Sequence, residues 1–90
     1  MTTANKPVLC LGEALIDVVI RGEESSEHVG GSPLNVASVL ANLDRPALIG
    51  AWWGKDRHGK LIEDFAAEHK VGVVPGSNGA FKTSLAYALL

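Results

Sequence analysis

The sequence has little of several features that would place it in a specialised class. Cys10 is its single cysteine, which excludes a disulfide framework and a thiolate metal cluster and fits a reducing compartment. Lysine and arginine are scattered, and a formal net charge of -2 offers no basic patch of the kind that binds nucleic acid. The apolar runs at residues 8–11 and 15–20 are separated by Gly12 and Glu13, so neither is long enough to span a membrane.

The chain is also short and lacks a targeting signal. Residues 1–6 are polar and do not have the pattern of a signal peptide, which predicts a cytoplasmic protein. Its 90 residues, of which 47% are hydrophobic and 20% charged, indicate one soluble globular unit at most. Within that unit we expect Cys10 to pack as a small apolar side chain in a strand.

The first third of the chain predicts a strand, a turn and the entry to a helix. Residues 8–20 are rich in Val, Leu and Ile on both faces, which is typical of one buried strand, with Gly12 as a bend. Residues 21–27 are polar and acidic and predict a turn. Residues 28–31 predict a short strand or an extended lead into the first helix.

That first helix has clear start and stop signals. Ser32 can cap it and Pro33 suits its first position. The helix is predicted to end at Asp44, because Asp tolerates the left-handed conformation in which many helices terminate. Four apolar side chains share one face at helical spacing: Val36, Val39, Leu40 and Leu43.

The second half repeats the alternation of strand and helix. Residues 47–53 predict a buried strand, and Asp56 predicts the cap of an amphipathic helix with Leu61, Ile62, Phe65 and Ala66 on its apolar face. A short strand at 71–74, a turn at 76–79 and a last apolar strand at 83–90 follow. The order β, α, β, α, β predicts an α/β protein with a mainly parallel sheet and right-handed crossovers.

One segment predicts a site for a polar ligand. Gly30 and Gly31 directly precede the first helix, and Asn35 lies on its first turn. Glycines let the backbone approach a ligand closely, and the first N–H groups of a helix lack partners within the helix. Hydroxyl groups or anions can therefore dock there, although a pair of glycines before a helix more often forms only a tight loop.

At this point the residues resemble a known family. The sequence GGSPLNVA at 30–37, continuing to Gly54, Asp56 and Gly59, is similar to the first signature of the PfkB/ribokinase family of carbohydrate kinases. The sequence GEALID at 12–17 looks like the start of its fructokinase-like members. The resemblance implies a ribokinase-like α/β fold with a small β lid, to which the segments around Val19, around Val29 and at 83–90 would contribute.

The resemblance also implies a function, namely the ATP-dependent transfer of a γ-phosphoryl group to a hydroxyl of fructose or a related sugar. Its sugar-binding positions correspond to Asp17, Gly30, Gly31 and Asn35. These residue types suit the task, because a carboxylate accepts hydrogen bonds from two hydroxyls and an amide both donates and accepts. Members of the family are often dimers joined through the lid, so a homodimer is an expected partner.

The family's remaining machinery has no match in these residues. Its catalytic aspartate, its ATP pocket and the acidic motif associated with Mg²⁺ are expected beyond Leu90. We therefore expect residues 1–90 to be the N-terminal βαβαβ part of a kinase domain, inactive alone and binding neither ATP nor Mg²⁺ by itself. Asp44 is a minor departure, because the signature usually has Gly or Ser after the helix.

Other interpretations stay open. The chain alone could be a non-catalytic sugar-binding or assembly module. A dinucleotide-binding domain is less favoured, because the glycines do not form G-x-G-x-x-G directly after the first strand. His28, His58 and His69 have neither the spacing nor the companion cysteines of metal ligands, so no metal site is predicted.

Overall fold

The structure, a computed structural model, describes residues 6–90, so the expectation for the polar N-terminus falls almost wholly outside the described residues. It has two three-stranded sheets and two α-helices. The strands are β1 Val8–Leu11, β2 Leu15–Arg21, β3 Glu24–Gly30, β4 Ala47–Gly50, β5 Gly72–Val73 and β6 Ser84–Leu89, and the helices are α1 Ser32–Asn42 and α2 Arg57–Glu68.

The first sheet is parallel and has the strand order β1-β4-β5. Val8 pairs with Ala47 and Ile49 with Val73, and helix α1 precedes β4 while α2 precedes β5. Parallel neighbours need such crossover helices, because a short hairpin cannot join them. The predicted α/β architecture with a mainly parallel sheet and flanking helices is thereby confirmed.

The second sheet, here called the lid sheet, consists of β3, β2 and β6 in that order. Strands β2 and β3 form an antiparallel hairpin, and β6 pairs in parallel with β2. The hairpin turns where Arg21 pairs with Glu24, and Gly22 between them has φ 63°. The segments around Val19, Val29 and 83–90 therefore share a small sheet, as the resemblance implied.

Two details of the predicted strands were wrong. Residues 8–20 form two strands in different sheets, because the chain changes direction at Gly12, where φ is 145°. Residues 21–27 are mostly strand β3, and only residues 22–23 make the turn. Polar side chains suit β3, since it is an edge strand whose first part faces solvent.

Helix α1 buries a different face from the one predicted. Its buried side chains are Leu34, Ala37 and Ser38, while three residues of the predicted face are exposed: Val36 at 52%, Val39 at 56% and Leu43 at 72%. The small side chains of Ala37 and Ser38 lie on the buried face beside Leu34, and hydrophobic spacing did not identify this face. Ser32 is not the cap, because Gly31 holds the N-cap position without a side-chain hydrogen bond. The helix ends as predicted, with Asp44 in the left-handed region at φ 60°.

Helix α2 agrees with its prediction. Asp56 is the N-cap, and its carboxylate accepts a 2.7 Å hydrogen bond from the Gly59 N–H. Ile62 and Ala66 are buried, with Leu61 and Phe65 partly buried beside them. Neither α1 nor α2, the helices of the described residues, is long and apolar enough to cross a membrane.

One apolar core lies between the helices and the two sheets. Trp53 is fully buried, and its indole N–H donates a 2.9 Å hydrogen bond to Glu63 of α2. Cys10 is buried on β1 as expected. Ile16 of β2 and Ile49 of β4 belong to the same core, so the lid sheet and the parallel sheet pack as one unit.

Asp56 should make stability depend on acid pH. Hydrogen bonds from the Thr83 hydroxyl, the Thr83 N–H and the Gly59 N–H lower its pKa from 3.8 to about 2. Because the folded pKa is the lower one, this stabilisation is present above the unfolded pKa and is lost as pH falls through the interval from 3.8 to about 2. Asp56→Asn should therefore lower the Tm at pH 7 and reduce the loss of Tm between pH 4 and pH 2, as measured by circular dichroism.

Asp64→Asn is the matched control, since Asp64 lies on the same helix and makes only an exposed ion pair with Lys60. Its Tm at pH 7 should stay close to that of the unmodified chain. Equal Tm values for Asp56→Asn and the unmodified chain at pH 7 would contradict the role of Asp56.

Candidate functional site

The candidate site lies where the lid sheet meets helix α1. Asp17 is on β2, and Gly30 ends the neighbouring strand β3. A Cβ atom placed on Gly30 would overlap the Asp17 carboxylate oxygen Oδ2, so this carboxylate lies directly over the Gly30 backbone. Asp17 itself is exposed, and its carboxylate is open to solvent. The structure thus brings together two of the residues predicted to bind a sugar.

Gly31 follows at the N-cap of α1 and is tightly constrained. Its φ of 107° lies in the region that L side chains rarely adopt. A Cβ atom there would overlap the carbonyl oxygen of Glu13 and lie 3.0 Å from Ala14 Cα. Only glycine lets the start of the helix approach the β1–β2 connection this closely.

Asn35 begins the hydrogen-bond ladder of the helix. Its N–H donates a 3.1 Å hydrogen bond to the Gly31 carbonyl, while its side chain is exposed. The N–H groups before it in the first turn have no partner within the helix, and Pro33 has no N–H at all. Backbone and side-chain polar groups are therefore available along the segment from Gly30 to Asn35. Among the described residues, no hydrogen bond joins the side chains of Asp17 and Asn35.

The Asp17 face of the lid sheet continues as an open polar groove. His28 pairs with Asp17 across β2 and β3, and alternation along the strands places both side chains on one face. The groove beyond them has a volume of about 400 Å³ and does not include Asp17 or the glycines. Its lining residues are Val19, Arg21, Glu24, Ser25, Ser26, His28 and Leu90.

A hydrogen-bond cluster that joins the lid sheet to α2 was found only in part from the sequence. Asp56 was predicted as a helix cap, but its carboxylate also accepts hydrogen bonds from the Thr83 hydroxyl at 2.6 Å and the Thr83 N–H at 3.0 Å. The Thr83 hydroxyl oxygen in turn accepts a 2.9 Å hydrogen bond from the Gly54 N–H. Position 59 requires glycine, because a Cβ atom on this residue would overlap the Gly54 carbonyl oxygen.

A second link between the lid sheet and α2 was missed entirely. Glu27 of β3 accepts two hydrogen bonds from Arg57, at 2.8 and 2.9 Å, and lies 2.8 Å from His58 Nε2. The Arg57 hydrogen bonds, followed by those from His58, lower the pKa of Glu27 from 4.5 to about 2. No local pattern reveals a contact between residues 30 positions apart.

Metal binding finds no support in this region. Among residues 6–90, no group of three or more His, Cys, Asp or Glu side chains is arranged to hold a metal ion. The chemistry that the site offers is hydrogen bonding to a polar ligand through one carboxylate, one amide and the backbone of the first turn.

Gly31→Ala should be strongly destabilising because alanine brings both a strained φ and an overlap with backbone atoms. We expect the free energy of unfolding in urea to fall by at least about 3 kcal/mol, or the cooperative transition to be lost. Gly22→Ala is the matched control, because Gly22 also has a positive φ but has open space around it. It should cost only about 1–2 kcal/mol, and similar losses for the two variants would show that the close approach at Gly31 is unimportant.

The fold and this arrangement can be compared with known proteins. Neither a protein-family model nor a curated protein matches the sequence. Solved structures do match. The carbohydrate kinase from Agrobacterium tumefaciens has a TM-score of 0.85 at 27% identity, and the fructokinase from Halothermothrix orenii has a TM-score of 0.83 at 26% identity. The fructokinase from Xylella fastidiosa, solved with bound ATP, has a TM-score of 0.81 at 33% identity.

The matches cover almost all of this chain but only part of the others. They include 94%, 93% and 96% of this chain, respectively, and 31%, 34% and 30% of those three chains. The chain therefore spans about a third of the length of the kinases it matches. Over that span it has the α/β fold of fructokinases and related carbohydrate kinases, and the resemblance indicated by its residues is confirmed.

Proposed function

We propose that this chain forms the sugar-acceptor side of an ATP-dependent kinase that phosphorylates a hydroxyl of fructose or a related sugar. The observation that carries the proposal is the contact between the Asp17 carboxylate and Gly30 at the entrance to α1, in a chain with the fold of fructokinases. A carboxylate exposed beside a bare stretch of backbone can bind vicinal hydroxyls without first breaking other contacts.

Each residue of the candidate site has a separate part in this proposal. Asp17 accepts hydrogen bonds from two sugar hydroxyls, and Asn35 can donate to one hydroxyl and accept from another. Gly30 and Gly31 keep side chains away from the sugar ring. Gly31 also fixes where α1 begins, because of its approach to the Glu13 carbonyl.

ATP and Mg²⁺ belong to the proposal for the whole enzyme. The fructokinase from Xylella fastidiosa binds ATP, which supports ATP as the phosphoryl donor. Residues 6–90 offer no acidic cluster for a metal ion, so we assign Mg²⁺ no place in this segment. We propose that residues 1–90 bind the acceptor sugar, that the catalytic aspartate lies beyond Leu90, and that this segment alone does not transfer phosphate.

The proposal extends to the location of the enzyme and to its assembly. The reducing compartment indicated by the single Cys10 supports a cytoplasmic location. A homodimer through the lid sheet is supported by the exposed apolar side chains Tyr87 and Leu89 on β6.

Asp17→Asn should weaken sugar binding by this chain. The substitution keeps the shape of the side chain but removes the charge, and hydrogen bonds to a charged group contribute about 1.5–3 kcal/mol. We therefore expect the Kd for fructose in calorimetry to rise at least about tenfold. Glu24→Gln is the matched control, since it removes one exposed carboxylate from the same sheet; unchanged affinity in Asp17→Asn would contradict the role of Asp17.

Gly30→Ala should weaken sugar binding while leaving the fold in place. The new methyl group overlaps only the end of the flexible Asp17 side chain, which can rotate away and so leave the site. We expect a weaker Kd for fructose together with a far-UV spectrum like that of the unmodified chain. Unchanged affinity would show that the position of the Asp17 carboxylate over Gly30 does not matter for binding.

A further inference from the structure

His28 lies beside Asp17 on the lid sheet but has no part in the proposed function. The two residues are direct partners in the antiparallel pairing of β2 with β3, and both are exposed. Directly opposed residues of an antiparallel pair have Cβ atoms about 5 Å apart on one face of the sheet. A ligand held by the Asp17 carboxylate is therefore within reach of the His28 imidazole.

The two side chains lean in opposite directions along β3. The Asp17 carboxylate lies over Gly30, in the space that a Cβ atom would fill. The His28 imidazole points the other way, toward the hairpin turn, since its Nε2 atom lies 3.0 Å from the Ser26 hydroxyl oxygen. Gly30, His28 and Ser26 are alternate residues of one strand and share a face. The surface between the carboxylate and the imidazole is therefore left open.

The contact with Ser26 leaves one ring nitrogen of His28 for a ligand. Among residues 6–90, the hydrogen bond of His28 Nε2 with Ser26 is the only one that its side chain makes. A neutral imidazole has one nitrogen that donates and one that accepts, and the Ser26 hydroxyl can take either role opposite Nε2. When Ser26 donates to Nε2, the proton of the ring is on Nδ1. His28 can then donate a hydrogen bond to a ligand, which the Asp17 carboxylate cannot do.

A sugar hydroxyl has a use for both kinds of partner. It has one proton to donate and lone pairs that accept. The Asp17 carboxylate accepts the proton of the hydroxyl but leaves the hydroxyl oxygen without a donor. Hydrogen bonds that follow one another in a chain polarise and strengthen each other. An imidazole and a carboxylate at opposed positions on one face of a sheet therefore suit a single hydroxyl between them.

Open space lies beside the imidazole for the rest of a ligand. His28 lines the groove of about 400 Å³ that runs toward the hairpin turn at Arg21 and Glu24. On the other side of His28, Gly30 has no side chain to fill the same face. A sugar can therefore contact the ring without displacing a packed side chain.

We propose that His28 is a further sugar-binding residue of this site, whose Nδ1 atom donates a hydrogen bond to a hydroxyl that in turn donates to Asp17. The inference rests on the proposed function, because it takes a sugar as the ligand of Asp17. It also narrows the class of acceptor. The site selects sugars that have a free hydroxyl, and neither an ether nor a deoxy position, between these two side chains.

The test measures the Kd for fructose by calorimetry in two variants that each keep one polar position of the ring. In His28→Asn the side-chain amide occupies the position of Nδ1, whereas in His28→Gln it reaches the position of Nε2. We expect His28→Gln to raise the Kd about three- to tenfold, which corresponds to one lost hydrogen bond. His28→Asn should raise it by a smaller factor. Both variants should keep the far-UV spectrum of the unmodified chain, because position 28 is exposed.

A double variant tests whether Asp17 and His28 hold the same hydroxyl. In the Asp17→Asn background this hydroxyl is no longer fixed by the carboxylate, so His28→Gln should change the Kd by a smaller factor than it does in the unmodified chain. An equal factor in the two backgrounds would overturn the shared contact.

The outcomes also separate this inference from the proposed function. Fructose binding that Asp17→Asn weakens and His28→Gln leaves unchanged overturns the inference alone. A loss of affinity in His28→Asn that equals or exceeds the loss in His28→Gln overturns the assignment of Nδ1 as the donor. A folded, unmodified chain that does not bind fructose contradicts the proposed function and, with it, the role of His28.

Discussion

The close approach between Gly31 and the Glu13 carbonyl is the constraint on which the rest of the structure depends. It brings the connection between the two sheets against the start of α1, in space that admits no side chain. The same junction places Asp17 over Gly30. A second tie, from Asp56 to Thr83, fixes the β6 edge of the lid sheet to α2, at the same end of the sheet as Gly30. The lid sheet is thus held at these two places and by the contacts of Glu27 with Arg57 and His58, and the candidate site lies at the first of them.

Several elements could be predicted from local residues because local interactions decide them. The Asp56 carboxylate caps α2 by accepting a hydrogen bond from the Gly59 N–H three residues later. Asp44, in the left-handed conformation, follows the end of α1. Local patterns failed where the outcome depends on distant partners. The apolar residues 8–20 belong to two strands in different sheets, which are separated at Gly12. The polar segment 24–30 forms strand β3 because it pairs with β2. Hydrophobic spacing on α1 marked Val36 and Val39, yet the buried residues of the helix are Leu34, Ala37 and Ser38.

The candidate site shows the same division. Gly30, Gly31 and Asn35 form a local pattern that predicts a polar ligand without naming it, whereas Asp17 joined them only through the family resemblance. In the structure the Asp17 carboxylate lies over the Gly30 backbone. Thr83, and the contacts of Glu27 with Arg57 and His58, could not be predicted, because about 30 residues separate the partners. These contacts position the lid sheet relative to α2.

The central claim is that a sugar binds at the junction of the lid sheet and α1. A titration of the isotopically labelled chain with fructose, followed residue by residue in amide NMR spectra, tests it most directly. We expect saturable shifts at the Asp17, Gly30, Gly31 and Asn35 amides, with little change at Val73 on β5. Saturable shifts confined to other residues, or no shifts at saturating fructose, would contradict it.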